Sequence, residues 1–305
     1  MISPSQRLFV RSENLSLHHD ARLTGAWFTW SNEARETLLD LAQALPSLPK
    51  PEVKYFEESE YGYSVAIAAR HFLSPNLRRR LDHLAAAFLD IRSFSEIVFL
   101  DKMLDKQVSG NCIASFFAWV RSTLTESTGE RDAAIFAPLG AVGGTTQGNF
   151  PLHADLYAPM FLLNLFDHVP PDGSGASLFL CVAEFFTWID NLPAVPVEVR
   201  RRIRSLLVEP TDEDHYEELY DLLHGEHPWT TELESWMAER ASRVSLRRGQ
   251  GYLIHDRCWL HGREAPSRRV RKNRLHRLIF DSRNTLKART DKRSHSHSEE
   301  VQVSG

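Results

Sequence analysis

A chain of 305 residues has room for one large domain or two small ones. A net charge of −4 and a pI near 6.4 carry no bulk basicity that would point to nucleic acid or an anionic membrane, and the longest apolar runs are too short to span a bilayer. Three scattered cysteines (Cys112, Cys181 and Cys258), with no Cys-x-x-Cys, argue against a disulfide frame or a Cys-rich zinc site and fit a reducing compartment, the cytoplasm.

The N-terminal stretch MISPSQRLFVRSENLS lacks the long apolar run of a secretory signal. NEARETLLDLAQAL (Asn32 to Leu45) has helical apolar spacing and ends at the break PSLPKPE. YGYSVAIAAR reads as a strand, and SPNLRRRLDHLAAAFLDI as a helix opened by Ser-Pro. SEIVFLDK, NCIASFFAWV and DAAIFAPLG are short β-rich runs. GAVGGTTQGN (Gly140 to Asn149) is a Gly-rich loop without the Lys-Ser/Thr of a phosphate-binding loop. YAPMFLLNLF and ASLFLCV are strands on either side of the turn PPDGSG.

From Glu184 to about Arg243 the pattern turns helical, with candidates in PVEVRRRIRSLL, EDHYEELYDLLHG and TTELESWMAERAS. β character returns in RVSLRRGQGYLIHD and RLHRLIFDS. The tail after Lys287 has almost no apolar content, which predicts disorder over 288–305. The whole reads as mostly β with α, a barrel or sandwich with flanking helices and a helical insert. We expect a single domain over 1–287, with core segments near 110–183 and 243–284 and the insert near 184–242.

PLHADLYAP carries His153 and Asp155 just before an apolar run. An extended segment puts residues i and i+2 on one face, so both side chains can enter one cavity. Other His-x-acid pairs lack that setting. His215/Glu217 and His224/Glu226 lie in a helical stretch, His297/Glu299 in the tail, and His18/Asp20 has no β run after it. The best third ligand is His261, in GQGYLIHDRCWLHGREA, where Gly249 and Gly251 make a turn and Tyr252 to Asp256 a strand. Two imidazoles and a carboxylate on one face of a metal form the facial triad of non-heme Fe(II) oxygenases.

From Gln147 to Arg283 the chain resembles the Fe(II)/2-oxoglutarate-dependent dioxygenases, in the branch of taurine dioxygenase and clavaminate synthase. LHADLYAP, GSGASLFL, the insert, GQGYLIHDRCWLHGREA and NRLHRLIFD follow that family's order. The resemblance implies a double-stranded β-helix, a jelly-roll, cupin-like barrel. It implies His153, Asp155 and His261 as iron ligands and Ser177 as a 2-oxoglutarate contact. The family's last strand has Arg-x-x-x-Arg, and here those positions hold Asn273 and Arg277. Arg277 is the expected clamp for the far carboxylate, with Arg274 as rival. Strand alternation lets both point inward only with a bulge.

The implied chemistry uses 2-oxoglutarate as cosubstrate with dioxygen, releases succinate and carbon dioxide, and hydroxylates an unactivated C–H bond. The implied substrate is a small molecule, an amino acid or related metabolite. Asp155 favours hydroxylation over halogenation, because halogenating relatives have a small residue in its place. Desaturation and ring formation stay open. His255 reads as packing, and Trp259 and Tyr157 as core aromatics near the barrel mouth. The rival readings are a cupin-like metal-dependent hydrolase or isomerase using zinc or manganese, and a non-catalytic β-barrel binding module.

Overall fold

The structure, a computed structural model, describes residues 8–11, 23, 25–44, 72–91, 96–128, 134–139, 149–155, 161–169, 174–208, 215–265, 267 and 274–280. Strands β1 (Phe9–Arg11) and β2 (Gly25–Trp30) come first, then helices α1 (Asn32–Ala44) and α2 (Pro75–Asp90), strand β3 (Ile97–Leu100) and helix α3 (Gly110–Thr128). Strands β4 (Ala134–Leu139), β5 (Phe150–His153), β6 (Phe161–His168) and β7 (Ser177–Cys181) follow. Helices α4 (Val182–Ile189), α5 (Val197–Val208), α6 (Tyr216–His224) and α7 (Thr230–Arg240) form the insert. Strands β8 (Ser242–Val244), β9 (Gly251–His255), β10 (Trp259–Arg263) and β11 (Arg274–Phe280) come last.

The strands make a seven-stranded sheet in the order β1-β2-β3-β9-β6-β11-β4 and a four-stranded sheet in the order β5-β10-β7-β8. The β2–β3 pair is parallel and the other pairs are antiparallel. Three apolar clusters define the layers. Helices α1, α2 and α3 pack on the outer face of the large sheet, against Phe161, Leu163, Leu165 and Leu278. The insert packs on the outer face of the small sheet, against Leu180 and Leu260. Between the sheets lie Phe99, Leu162, Tyr252 and Ile254 from one side and Phe179, Val244 and Trp259 from the other.

The two facing sheets, the flanking helices and the helical insert are as expected, and the strand orders β9-β6-β11-β4 and β5-β10-β7-β8 are those of a jelly-roll; what needs correction is the balance of helix and strand. The fold is mixed α/β, since its helices hold more residues than its strands. Among the described residues no ladder joins the two sheets, so a closed barrel is absent there. Aromatics from both sheets, Phe99, Tyr252, Phe179 and Trp259, fill the layer between them.

NCIASFFAWV, expected as β, lies in α3. Cys112, Ile113, Phe116, Phe117, Trp119 and Val120 are all buried, because α3 packs between α2 and the strands β4 and β11. Near-complete burial erases the polar stripe that marks a surface helix. Its start carried a signal nonetheless: Ser109 Oγ accepts from Cys112 N–H at 3.4 Å. The same device opens α2, where Ser74 Oγ accepts from Leu77 N–H at 3.3 Å and Pro75 takes the first turn.

Strands β1 and β2 were not expected, and they extend the large sheet. The insert begins at Val182, with α4 ahead of the three helices expected there. The strand expected at YGYSVAIAAR, most of the Gly-rich loop and the tail lie outside the described residues.

Candidate metal centre

Strands β5 and β10 are antiparallel neighbours, and their register places His153 directly opposite His261. The ring centroids are 4.3 Å apart. Asp155 follows β5 by two residues and turns its carboxylate between the rings. Its Oδ1 is 3.3 Å from His153 Nε2, and its Oδ2 is 3.7 Å from His261 Nε2. One ligand atom from each residue lies within 4.8 Å of the others, and all three residues are buried. The structure therefore brings together the three residues that the sequence picks out.

The protonation of the rings follows from their partners. His153 Nδ1 lies 2.8 Å from the Pro151 carbonyl, which can only accept, so Nδ1 carries the proton. Its Nε2 faces Asp155 Oδ1 at 3.3 Å. Burial, reinforced by the His153 imidazole beside it, pushes His261 well below its ordinary value and keeps it neutral. Burial opposes the charge of Asp155, but Arg277, His153 and His261 together outweigh it and hold the carboxyl well below the usual range. Neither His153 Nε2 nor His261 Nε2 has a hydrogen-bond partner. Two buried ring nitrogens without partners beside a carboxylate make a donor set suited to a cation between them.

Groups outside the triad hold it in place. Asp256 Oδ1 accepts from the Asp155 N–H at 3.1 Å and lies 3.6 Å from His261 Nδ1. Arg277, on β11, donates through Nε to Asn164 Oδ1 at 3.0 Å and reaches Asp155 Oδ2 through Nη1 at 3.5 Å. Asn164 Nδ2 in turn donates to the Tyr252 hydroxyl at 2.5 Å. Burial raises the phenol of Tyr252, so it stays protonated. Asp256, Asn164 and Tyr252 were missed in the sequence. Asn164 had left a signal, a lone amide in the apolar run MFLLNLF.

The other expected positions are dispersed. Ser177 is buried at the start of β7, opposite Arg263 of β10. The β11–β6 register is irregular between Arg274 and Leu275, but the Arg274 side chain, like Tyr157, lies outside the described residues. Trp259 joins the aromatic cluster between the sheets. His255 packs on Phe161, with ring centroids 5.1 Å apart. His224 ties the insert to the small sheet, its ring nitrogens each 2.8 Å from Glu234 Oε1 and the Leu152 carbonyl. Tyr216, at the start of α6, meets His153 edge-on at 5.9 Å. The insert thus reaches the centre through a named side chain.

No protein-family model and no curated protein matches the chain. Among solved structures it is similar to an asparagine oxygenase in complex with Fe(II), 3-hydroxyasparagine and succinate, at 14% identity over 83% of this chain and 92% of that one, with a TM-score of 0.43. It is similar to the non-heme iron oxygenase OrfP in complex with Fe, at 11% identity over 85% and 94% of the two chains, with a TM-score of 0.39. A second OrfP structure, with Fe, succinate and a dihydroxy-L-Arg, gives 12% identity over 84% and 94%, with a TM-score of 0.40.

Proposed function

We propose that this protein is a non-heme Fe(II)- and 2-oxoglutarate-dependent oxygenase that hydroxylates an unactivated C–H bond of a small molecule, an amino acid or related metabolite. The observation that carries the proposal is the convergence of His153, Asp155 and His261, with two buried ring nitrogens lacking partners. Two imidazoles and one carboxylate fit a divalent iron and leave other positions for a cosubstrate. His153 Nε2, His261 Nε2 and an Asp155 oxygen would hold it. Bound iron supplies the oxidation of a C–H bond, coupled to conversion of 2-oxoglutarate and dioxygen to succinate and carbon dioxide.

The chain's own residues prepare that site. The Pro151 carbonyl fixes the proton of His153 on Nδ1, and Asp256 holds the Asp155 backbone N–H and lies 3.6 Å from the His261 ring. Arg277 keeps Asp155 charged. The aromatic cluster between the sheets closes the inner side to water. We place the whole activity on one domain, 1–287, with Tyr216 of the insert edge-on to the His153 ring.

The test is an anaerobic Fe(II) titration followed by succinate assay in air across a panel of small metabolites. One iron per chain and metabolite-dependent succinate are expected. Absence of a stoichiometric iron site would leave a binding module. Turnover with zinc or manganese that ignores 2-oxoglutarate would leave a cupin-like hydrolase or isomerase.

A further inference from the structure

Strand β5 carries His153 and stands at the edge of the small sheet, with β10 on one side. Among the described residues no strand pairs with its other side. That edge is nevertheless buried, since Leu152 is 4% exposed. A buried strand edge leaves carbonyls that need donors. The insert supplies one from a side chain: His224 Nε2, at the end of α6, lies 2.8 Å from the Leu152 carbonyl. A carbonyl only accepts, so the imidazole donates there.

His224 is itself held from the other side. Its Nδ1 lies 2.8 Å from Glu234 Oε1 of α7, and its side chain is 5% exposed. Tyr216, Tyr220 and His224 recur at every fourth residue of α6, so they share one face. Their rings form a row, with centroids 5.7 Å apart from Tyr216 to Tyr220 and 5.0 Å from Tyr220 to His224. The row begins 5.9 Å from the His153 ring and ends at the carbonyl next to His153 in the chain. The neighbouring stripe of α6, Leu219 and Leu223, is buried in the apolar cluster under the insert.

The Leu152 carbonyl belongs to the planar peptide unit that ends at His153. Fixing that oxygen fixes the plane, and with it the direction in which the His153 side chain leaves the backbone. The Pro151 carbonyl fixes the ring, 2.8 Å from Nδ1. We propose that His224 is a positioning residue for the metal centre, a latch that couples docking of the insert on β5 to metal binding by His153. The latch rests on the metal reading above and is independent of the cosubstrate. Coupling of this kind is reciprocal. If the latched insert favours the metal, bound metal must favour the latched insert by the same factor.

The experiment titrates Fe(II) alone, anaerobically, into the full chain and follows backbone hydrogen exchange with and without the metal. His224→Leu keeps the bulk of the side chain and removes both nitrogens. It should weaken Fe(II) binding by about threefold to tenfold, as expected for loss of one hydrogen bond behind a ligand. His224→Gln, which restores a donor, should recover part of that loss. In wild type, Fe(II) should slow exchange in α6 and α7 as well as in β5, whereas in His224→Leu it should slow exchange in β5 only. Arg202→Ala breaks the exposed Arg202–Glu218 pair between α5 and α6 and should leave Fe(II) affinity unchanged. A His224→Leu isotherm that coincides with that of wild type overturns the proposal. So does an equal loss in Arg202→Ala, which would assign the effect to general loosening of the insert. If His224→Leu does not fold, His224→Gln and Glu234→Ala must each weaken Fe(II) binding and blunt the exchange response of α6, or the proposal fails. Wild-type protein that binds no Fe(II) overturns the metal reading and the latch with it, whereas normal binding with an unresponsive insert overturns the latch alone.

Discussion

His261 Nδ1 stands 3.6 Å from an Asp256 oxygen that already accepts the Asp155 N–H at 3.1 Å. One carboxylate therefore bonds the backbone of Asp155 and lies beside the ring of His261. Such outer partners are worth about ten- to a hundredfold in metal affinity. Asp256→Ala is expected to weaken Fe(II) binding by about that factor while circular dichroism stays unchanged; an unaltered iron isotherm would reduce Asp256 to a loop residue. His153→Ala or His261→Ala removes a ligand outright. Either should abolish stoichiometric iron binding and succinate release, and near wild-type turnover in either variant would sink the assignment. Asp155→Gly should lose hydroxylation and open a position for chloride. Normal hydroxylation by that variant would show that Asp155 is not a ligand.

The element that sets the geometry is the β5–β10 pair. Gly262 follows His261, and a Cβ there would meet the Phe150 carbonyl at 2.7 Å and the Pro151 carbonyl at 3.0 Å. Those atoms are backbone of the strand that carries His153, so only glycine lets the strands approach this closely. Gly262→Ala should spread β5 from β10, lower the melting temperature and weaken iron binding together. Metal affinity unchanged within twofold would mean that strand spacing does not govern the site. Legibility at this scale depends on burial. Helices α1 and α2 each keep an exposed face, so their period shows in the residues. Helix α3 is buried almost all round over its first half, and its aromatics imitate a strand.

For the whole molecule, metal binding and pH both become stability measurements. A ligand that binds only the folded chain adds about 2.7 kcal/mol at one hundred times its Kd. Anaerobic Fe(II) should therefore raise the melting temperature of wild type and leave that of His153→Ala unmoved. Acid acts through His255, which burial first, and Arg257 second, push down from 6.5 to about 4. The unfolded chain takes up that proton below about 6.5 and the folded chain only below about 4. Between these values the unfolded state binds more protons, so stability rises with pH. The contribution is complete above about 6.5 and lost as pH falls to about 4. The melting temperature should drop across that window, and His255→Gln should flatten the slope. The same slope in the variant would assign the acid sensitivity to other groups.

Local periodicity is written in consecutive residues, which is why His-x-Asp on an extended segment, the insert helices and most strands could be read directly. His261 was picked as the best third ligand for its turn-and-strand setting and then supported by the order of a family's motifs, because spacing alone does not say which distant strand lies beside β5. That choice belongs to the tertiary structure, as do the strand order within the two sheets and the outer groups Asp256, Asn164 and Tyr252. The inward turn of Arg277 matched strand alternation, whereas its place at Asp155 depended on β6 and β11 lying side by side. Each of these is a contact between segments far apart in the chain. Strand neighbours and register are decided by how three apolar clusters pack around two sheets, and no window of sequence contains that information.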